Sequence, residues 1–366
     1  MKKIVIGVAA AMVFTAALNG QAPDAGRISS TASDANQTLT AVGGLKVGSH
    51  TLPGGTTGCT VILVDGNGAP GGVAQRGGAP GTRETDLLSP LNMVDKVNAI
   101  VLSGGSAFGL DAASGTVKWL EEHNIGWDVR VAKVPIVPAA ILFDLAHGGD
   151  KNWNTNPYRD LGAQALAAAS EDFSLGTVGA GVGATTAGLK GGLGSASLVI
   201  DGGFTVGALV GANPTGGVTS ADGHFWAAPW EIGDEFGGRG AYPHPVPFAQ
   251  SVKTKKDALI EIANTTIAIV ATDADLTKTQ LKRFAVAAQD GMARAISPAH
   301  TLVDGDLIFS VSTGARPLND PIFDAIALGH AAAVCLARAI ARAVYHATPV
   351  ADDVFPTWQQ KWGRRS

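Results

Sequence analysis

Cysteine is scarce: the 366 residues hold two, Cys59 and Cys335. Two thiols allow at most one bridge, which excludes a disulfide framework and a cysteine-rich zinc site. Cys335 lies in Ala-Ala-Val-Cys-Leu-Ala-Arg, the pattern of a buried helix face, which favours two inert buried thiols. Charge is also thin, at 16% of residues with a formal net charge of -4. No basic block or stripe is present, so neither nucleic acid nor a membrane surface is an expected partner. His-Glu-x-x-His, Cys-x-x-Cys and Gly-x-Ser-x-Gly are all missing. The eight histidines are scattered, with none at ligand spacing from another. These absences disfavour a metal site, and no cofactor is expected.

Glycine is what the chain has in excess, 48 residues without a fixed period. That excludes a collagen-like repeat and predicts many tight turns and close backbone approaches in a packed α/β body. The length suits one large or two ordinary domains. Residues 4–18 form an apolar run behind Lys2 and Lys3, too short to span a bilayer comfortably. Asn19-Gly20-Gln21-Ala22 puts small residues at the -3 and -1 positions of a cut after Ala22. Residues 1–22 are therefore expected to be a signal peptide, and the mature chain periplasmic or secreted and free of the membrane. Residues 23–42 follow as a polar, small-residue lead-in.

Strand-like and helix-like segments alternate after that, which argues for a layered domain. Residues 59–64 predict a strand ending in the Asp65-Gly66 turn, and residues 99–102 a short buried strand. Ser103-Gly104-Gly105-Ser106 then leads into a helix expected at about 107–123, and residues 158–172 look helical. The glycine-rich stretch 176–194 runs into strands at 195–200 and 204–210. Residues 214–255 are polar and rich in Trp, Pro and Gly, with few element signals. Residues 265–272 are β-branched and apolar, a strand. Thr277-x-x-Gln280 opens a helix with apolar residues at helical spacing. A strand at 307–311 and a well-buried helix at about 322–346 complete the chain.

Two features invite chemistry. Gly104-Gly105-Ser106-Ala107-Phe108-Gly109 sits between a strand and a helix, the context in which a helix N-terminus binds anions. Its glycine spacing misses the dinucleotide pattern, and packing turns or pocket walls explain it better. The second feature is Asn264-Thr265-Thr266 at the head of a strand. A threonine hydroxyl is a weak nucleophile without an adjacent base, and a cut just before it makes its own α-amine that base. By itself the pattern proves little, since Thr opening a strand is common.

Seven motifs nonetheless occur in the order seen in the L-aminopeptidase D-esterase/amidase family, which includes β-peptidyl aminopeptidases and nylon-oligomer hydrolases. They are Arg76-Gly77-Gly78-Ala79-Pro80-Gly81-Thr82-Arg83-Glu84, Leu102-Ser103-Gly104-Gly105-Ser106-Ala107-Phe108-Gly109, Val134-Pro135-Ile136-Val137-Pro138-Ala139-Ala140, Gly188-Leu189-Lys190-Gly191-Gly192, Asn213-Pro214, Asn264-Thr265-Thr266 and Asp304-Gly305-Asp306. Together they cover roughly residues 43–345. The resemblance implies an α+β fold, a four-layer αββα sandwich of the N-terminal-nucleophile hydrolase kind. It implies a precursor that cuts itself into a large subunit (43–264) and a small one (265–366).

Thr265 then matches the nucleophile, and the self-cleavage site is Asn264–Thr265. Lys190 matches a lysine near the nucleophile, Asn213 an oxyanion-holding asparagine, and Asp304 and Asp306 acids that order the site. Phe143 falls where some members carry a tyrosine whose hydroxyl helps. On residue type alone Lys190 also fits a solvated loop, Asn213 a turn, and the two acids a tight loop. The expected substrate is a small peptide or amide, with β- or D-residues and polyamide oligomers among the options. The expected assembly is a homo-oligomer of processed heterodimers. More remote readings are an ornithine acetyltransferase-like acyl transferase and a non-enzymatic periplasmic binding protein.

Overall fold

The computed structural model describes residues 37–54, 57–255 and 264–363. The expected signal peptide and most of the lead-in lie outside the described residues. Strands β1 (Leu45–Thr51), β2 (Gly58–Val64), β3 (Ala69–Gln75), β4 (Thr82–Arg83), β5 (Lys96–Val97) and β6 (Ala99–Ser103) come first. β7 (Trp127–Asp128) and β8 (Lys133–Val134) pair with each other, and β9 (Ala139–Ile141) follows. β10 (Thr185–Thr186) pairs with β11 (Leu189–Lys190). The long strands are β12 (Gly192–Val199), β13 (Thr205–Asn213), β14 (Thr265–Ala274) and β15 (Leu307–Arg316). The helices are α1 (Ala112–Glu122), α2 (Tyr158–Ala167), α3 (Phe248–Ser251), α4 (Lys278–Ala295), α5 (Phe323–Tyr345) and α6 (Trp358–Trp362).

One sheet has the order β1-β2-β6-β9-β4 and the other β12-β13-β14-β15-β3-β5. Ile62, Ile100 and Leu102 from the first meet Leu209, Ile267, Ile269 and Phe309 from the second in a shared core. The opposite face of the five-stranded sheet packs Val61 and Val101 on α1 and α2, through Leu120 and Leu161. The opposite face of the six-stranded sheet packs Val206, Ala208 and Val270 on α4 and α5, through Leu281, Phe284, Leu336 and Ile340. Four layers, αββα, result, as the resemblance implies. The centre of β14, Ile267-Ala268-Ile269-Val270-Ala271, is a continuous apolar run because both faces of the strand are buried. α5 is long and apolar enough to cross a membrane, yet most of that stretch is buried here as a core helix.

Two elements differ from the sequence expectation for local reasons. The segment after Gly105 begins as a 3-10 helix, Ser106–Asp111, before α1 takes over. Gly105 is left-handed (φ +85°), its N–H donates to Asp144 Oδ1 at 2.8 Å, and the Ser106 N–H donates to Leu142 O at 3.0 Å. A Cβ at Gly105 would lie 2.0 Å from the Tyr158 ring. This glycine turn is a packing turn, and these two N–H groups are already taken. α2 stops at Ala167, short of 172, because Ser170 leaves the helix to exchange backbone hydrogen bonds with Val47 of β1. Residues 214–255 are largely irregular, as expected, and are anchored by the buried Glu235 carboxylate on Arg338 of α5. Cys59 and Cys335 are free and buried, and burial pushes both thiols up to about 12.

Candidate active site

Three strand ends meet at one edge of the six-stranded sheet. β13 closes at Asn213, β14 opens at Thr265, and β15 opens just after Asp304-Gly305-Asp306. Asn213 is the cross-strand partner of Thr265, and Asn264 bridges to Asp304. None of Asn213, Asn264, Thr265, Asp304 and Asp306 is more than 4% exposed, so solvent does not reach this edge in the uncut chain.

The Thr265 hydroxyl turns back and donates to the carbonyl oxygen of Asn264. The Gly305 N–H donates to the same oxygen at 3.1 Å. That carbonyl is therefore polarised by a fixed backbone donor while a hydroxyl stands against it, the parts an acyl shift needs. Only glycine fits at 305, since a Cβ there would lie 2.7 Å from Thr265 Oγ1. The side-chain amide oxygen of Asn264 and the hydroxyl of Thr266 find no partner among the described residues.

The two acids hold loops. Asp304 accepts from Thr215 N and Oγ1 (both 2.9 Å) through one oxygen, and from Thr301 N and Oγ1 (3.1 and 2.5 Å) through the other. Burial, with the nearby charge of Asp306, raises the Asp304 pKa, and these hydrogen bonds oppose the rise. Asp306 accepts from Thr266 N at 2.9 Å with one oxygen, and from His300 N and Nδ1 (both 2.9 Å) with the other. Asp306 thus fixes the backbone one residue after the threonine. The exit of β3 backs the loop, with Arg76 and Gly77 N–H on Asp306 O and Ala79 N–H on Asp304 O.

Asn213 is a buried hub rather than a surface turn. Its Nδ2 donates to Phe143 O at 2.8 Å, and its Oδ1 accepts from Thr185 N at 2.9 Å and Lys255 Nζ at 2.8 Å. Phe143 thus contributes its carbonyl, and its ring stands edge-on to His147. Burial, reinforced by the Lys255 charge, holds His147 down at about 3. Lys190 is 2% exposed, which rules out a solvated loop lysine. Its backbone pairs with Thr185, one step from Asn213, while its ammonium ends on Asp353. Burial lowers its pKa and Asp353 opposes that.

Thr265, Asn264, Asn213, Asp304 and Asp306 are thus gathered at one sheet edge, with Lys190 and Phe143 linked to it through Thr185 and Asn213. Sequence reasoning missed the Gly305 N–H, Thr215, Thr301, His300, Asp353 and Lys255. Gly305 was visible in its motif, but its amide proton carries no residue signature. Lys255 stands in the polar segment 214–255 that carries few element signals, where a lysine reads as solvated.

A family model described as peptidase family S58 matches residues 37–354. Over 342 residues the chain is 43% identical to a Mycobacterium tuberculosis protein described as an uncharacterized aminopeptidase, covering 87% of this chain and 98% of that one. Over 278 residues it is 30% identical to the 6-aminohexanoate-oligomer endohydrolase of a Kocuria species, covering 74% and 73% of the two chains. Among solved structures it is similar to the L-aminopeptidase D-Ala-esterase/amidase of Ochrobactrum anthropi, described as a new variant among the N-terminal-nucleophile hydrolase fold. The TM-score is 0.64 at 22% identity, over 90% of this chain and 94% of that one. The family match spans most of the sequence and all four layers, and the chain therefore belongs to peptidase family S58 and is a hydrolase.

Proposed function

We propose that this hydrolase is a self-processing aminopeptidase whose nucleophile is Thr265. The observation that carries the reading is the Thr265 hydroxyl set against an Asn264 carbonyl already held by the Gly305 N–H. In processing, Thr265 Oγ bonds to the Asn264 carbonyl carbon and the C–N bond to Thr265 breaks. The nitrogen takes up the hydroxyl proton, and an ester links the two residues. Water then cleaves the ester, leaving Asn264 as a carboxylate and Thr265 with a free amine. The products are a large fragment ending at Asn264 and a small one, 265–366.

In turnover the same hydroxyl attacks a substrate amide, its α-amine carries the proton to the leaving nitrogen, and water then cleaves the acyl ester on Thr265 to release the acid and restore the hydroxyl. Asn213 Nδ2 has a second N–H beyond the one on Phe143 O, and that is the donor assigned to the substrate oxyanion. Donors of this kind are worth about 3–4 kcal/mol each in the transition state. The relative at 43% identity, described as an aminopeptidase, favours peptides over polyamide oligomers. A panel of peptide, β-peptide and 6-aminohexanoate amides decides between them.

The test follows fragment formation and amide hydrolysis together in a slow-processing variant. Hydrolysis should appear in step with the small fragment, because before the cut the Thr265 nitrogen is an amide with no basicity. In cut enzyme, kcat/KM should rise with pH through the titration of that amine, which in free peptides is near 7.7–8.0. Thr265→Ala should abolish both reactions and Thr265→Ser should keep some of each. Full hydrolysis by uncut chain overturns the mechanism. We also propose export through residues 1–22, into an assembly of several cut heterodimers. Deleting residues 1–22 should retain the protein in the cytoplasm, and equal periplasmic recovery on fractionation refutes the export reading.

A further inference from the structure

Of the residues named at the site, His300 alone has a left-handed backbone without being glycine, with φ +56°. That conformation is uncommon for a residue with a side chain, and it persists where the surrounding structure over-determines it. Here it aims two consecutive amides at two carboxylates. The His300 N–H donates to Asp306 Oδ2 at 2.9 Å, and the Thr301 N–H to Asp304 Oδ2 at 3.1 Å. Gly305, whose N–H holds the Asn264 carbonyl, lies between those two acids.

The His300 ring adds a second bond. Its Nδ1 stands 2.9 Å from the same Asp306 oxygen. An ionised carboxylate only accepts, so Nδ1 carries a proton toward it whether the ring is neutral or charged. Among the described residues, both donors to Asp306 Oδ2 come from His300, while Oδ1 takes the Thr266 N–H at 2.9 Å. The Asp306 side chain is 1% exposed, which leaves little room for solvent to replace a lost donor. The Thr266 amide belongs to the peptide plane that leaves Thr265, so its direction sets where the Thr265 side chain points.

We propose that His300 is a positioning residue for Thr265. It holds the Asp306 carboxylate so that the Thr265 hydroxyl and the Gly305 N–H meet the Asn264 carbonyl together. The Asp306 bond is made to Thr266, beyond the bond that is cut, so the same link orients the freed hydroxyl in turnover. The effect on cleavage and turnover rests on the nucleophile proposed above. The link from His300 to the Thr266 amide does not, and it is read separately.

Two substitutions separate the ring's hydrogen bond from the backbone conformation. His300→Gly keeps the left-handed turn without strain and removes the ring donor. His300→Asn also tolerates that turn, and its side-chain amide can donate to Asp306 much as Nδ1 does. In the full Thr265→Ala chain, nuclear magnetic resonance follows the Thr266 amide. His300→Gly should shift its proton signal and speed its exchange with solvent, and His300→Asn should restore both. An unchanged Thr266 amide in His300→Gly overturns the proposal. With Thr265 present, His300→Gly should slow small-fragment formation on the order of 10- to 100-fold, the scale of a small misplacement of reacting groups. In the cut enzyme kcat should fall while KM stays near wild type, and His300→Asn should recover much of both rates. A His300→Gly protein that forms fragment and turns over at wild-type rates overturns the positioning role. So does a His300→Asn protein that is as slow as His300→Gly despite a native Thr266 amide. Should His300→Gly not fold, His300→Asn decides: substantial rates support the proposal, and rates lowered 10-fold or more with a native Thr266 amide overturn it. Fragment formation in the Thr265→Ala chain itself would instead refute the nucleophile assignment and leave the link to Thr266 standing.

Discussion

Two clusters of buried polar side chains lie on either side of the Phe143–Asp144 peptide, and they handle burial differently. In the first, Asp144 accepts from Gly105 N at 2.8 Å and Thr57 Oγ1 at 2.7 Å, and Thr57 meets the Tyr158 hydroxyl at 2.8 Å. Both carboxylate oxygens have donors, and together they hold one tight turn in place. In the second, Asn213 reaches Phe143 O, and around it stand a buried lysine amine whose pKa burial lowers well below its ordinary value, a hydroxyl against a carbonyl, and polar atoms on Asn264 and Thr266 with no partner among the described residues. The first cluster is satisfied. The second keeps polar groups in costly arrangements, which a fold retains where bonds are to be broken.

Removing groups from the second cluster should break the comparison most severely. Asn213→Ala should lower kcat by about 100- to 1000-fold, with a smaller change in KM, because an oxyanion contact strengthens in the transition state. Lys190→Ala should likewise lose most turnover, while far-UV circular dichroism stays native in both. Near-normal rates in both variants would place the chemistry elsewhere. Next in size is Gly305→Ala. Its Cβ would press on Thr265 Oγ1 at 2.7 Å and Ala79 O at 2.8 Å, displacing the donor from the Asn264 carbonyl. Small-fragment formation should slow by roughly tenfold or more, the scale of losing part of one such donor. Fragment formation at the wild-type rate would remove Gly305 from the processing geometry.

The last effect belongs to the satisfied cluster, and it is one of stability and pH rather than of turnover. Burial raises the Asp144 carboxyl from 3.8 to about 6, against the opposing hydrogen bonds of Thr57 and Gly105 and the charge of Lys151. The folded state therefore binds this proton more tightly than the unfolded one. The stabilisation is fully present below about pH 4 and is lost as pH rises through about 6. The span of roughly two pH units is worth about 3 kcal/mol. Asp144→Asn should remove that slope, narrowing the difference in unfolding free energy between pH 4 and pH 7 by about that amount. Denaturant titrations at the two pH values check it, and an unchanged slope assigns the pH dependence to other groups.

Most of the layered fold was legible along the chain. β14 and α5 announce themselves as apolar runs, and Thr277-x-x-Gln280 forms the capping box its spacing predicts. The start of α1 and the end of α2 were misjudged by several residues, since hydrogen bonds from distant segments, Asp144 and Val47, decide them. At the site, the named side chains stand out because their types are unusual for their neighbourhood. The backbone donor of Gly305 and the buried turn of Lys255 do not, because neither is a property of residue type.

The sequence alone determined which segments are apolar enough to be buried, with what period, and which ordered motifs resemble a self-processing amidase. Local composition controls burial and propensity, and those are read one segment at a time. Only the tertiary structure decided that Asn213, Asn264, Gly305 and Asp306 surround one threonine, since strand register brings together residues separated by up to 93 positions. It alone buried Lys255, whose side chain reaches Asn213 at the end of β13 from a long irregular segment.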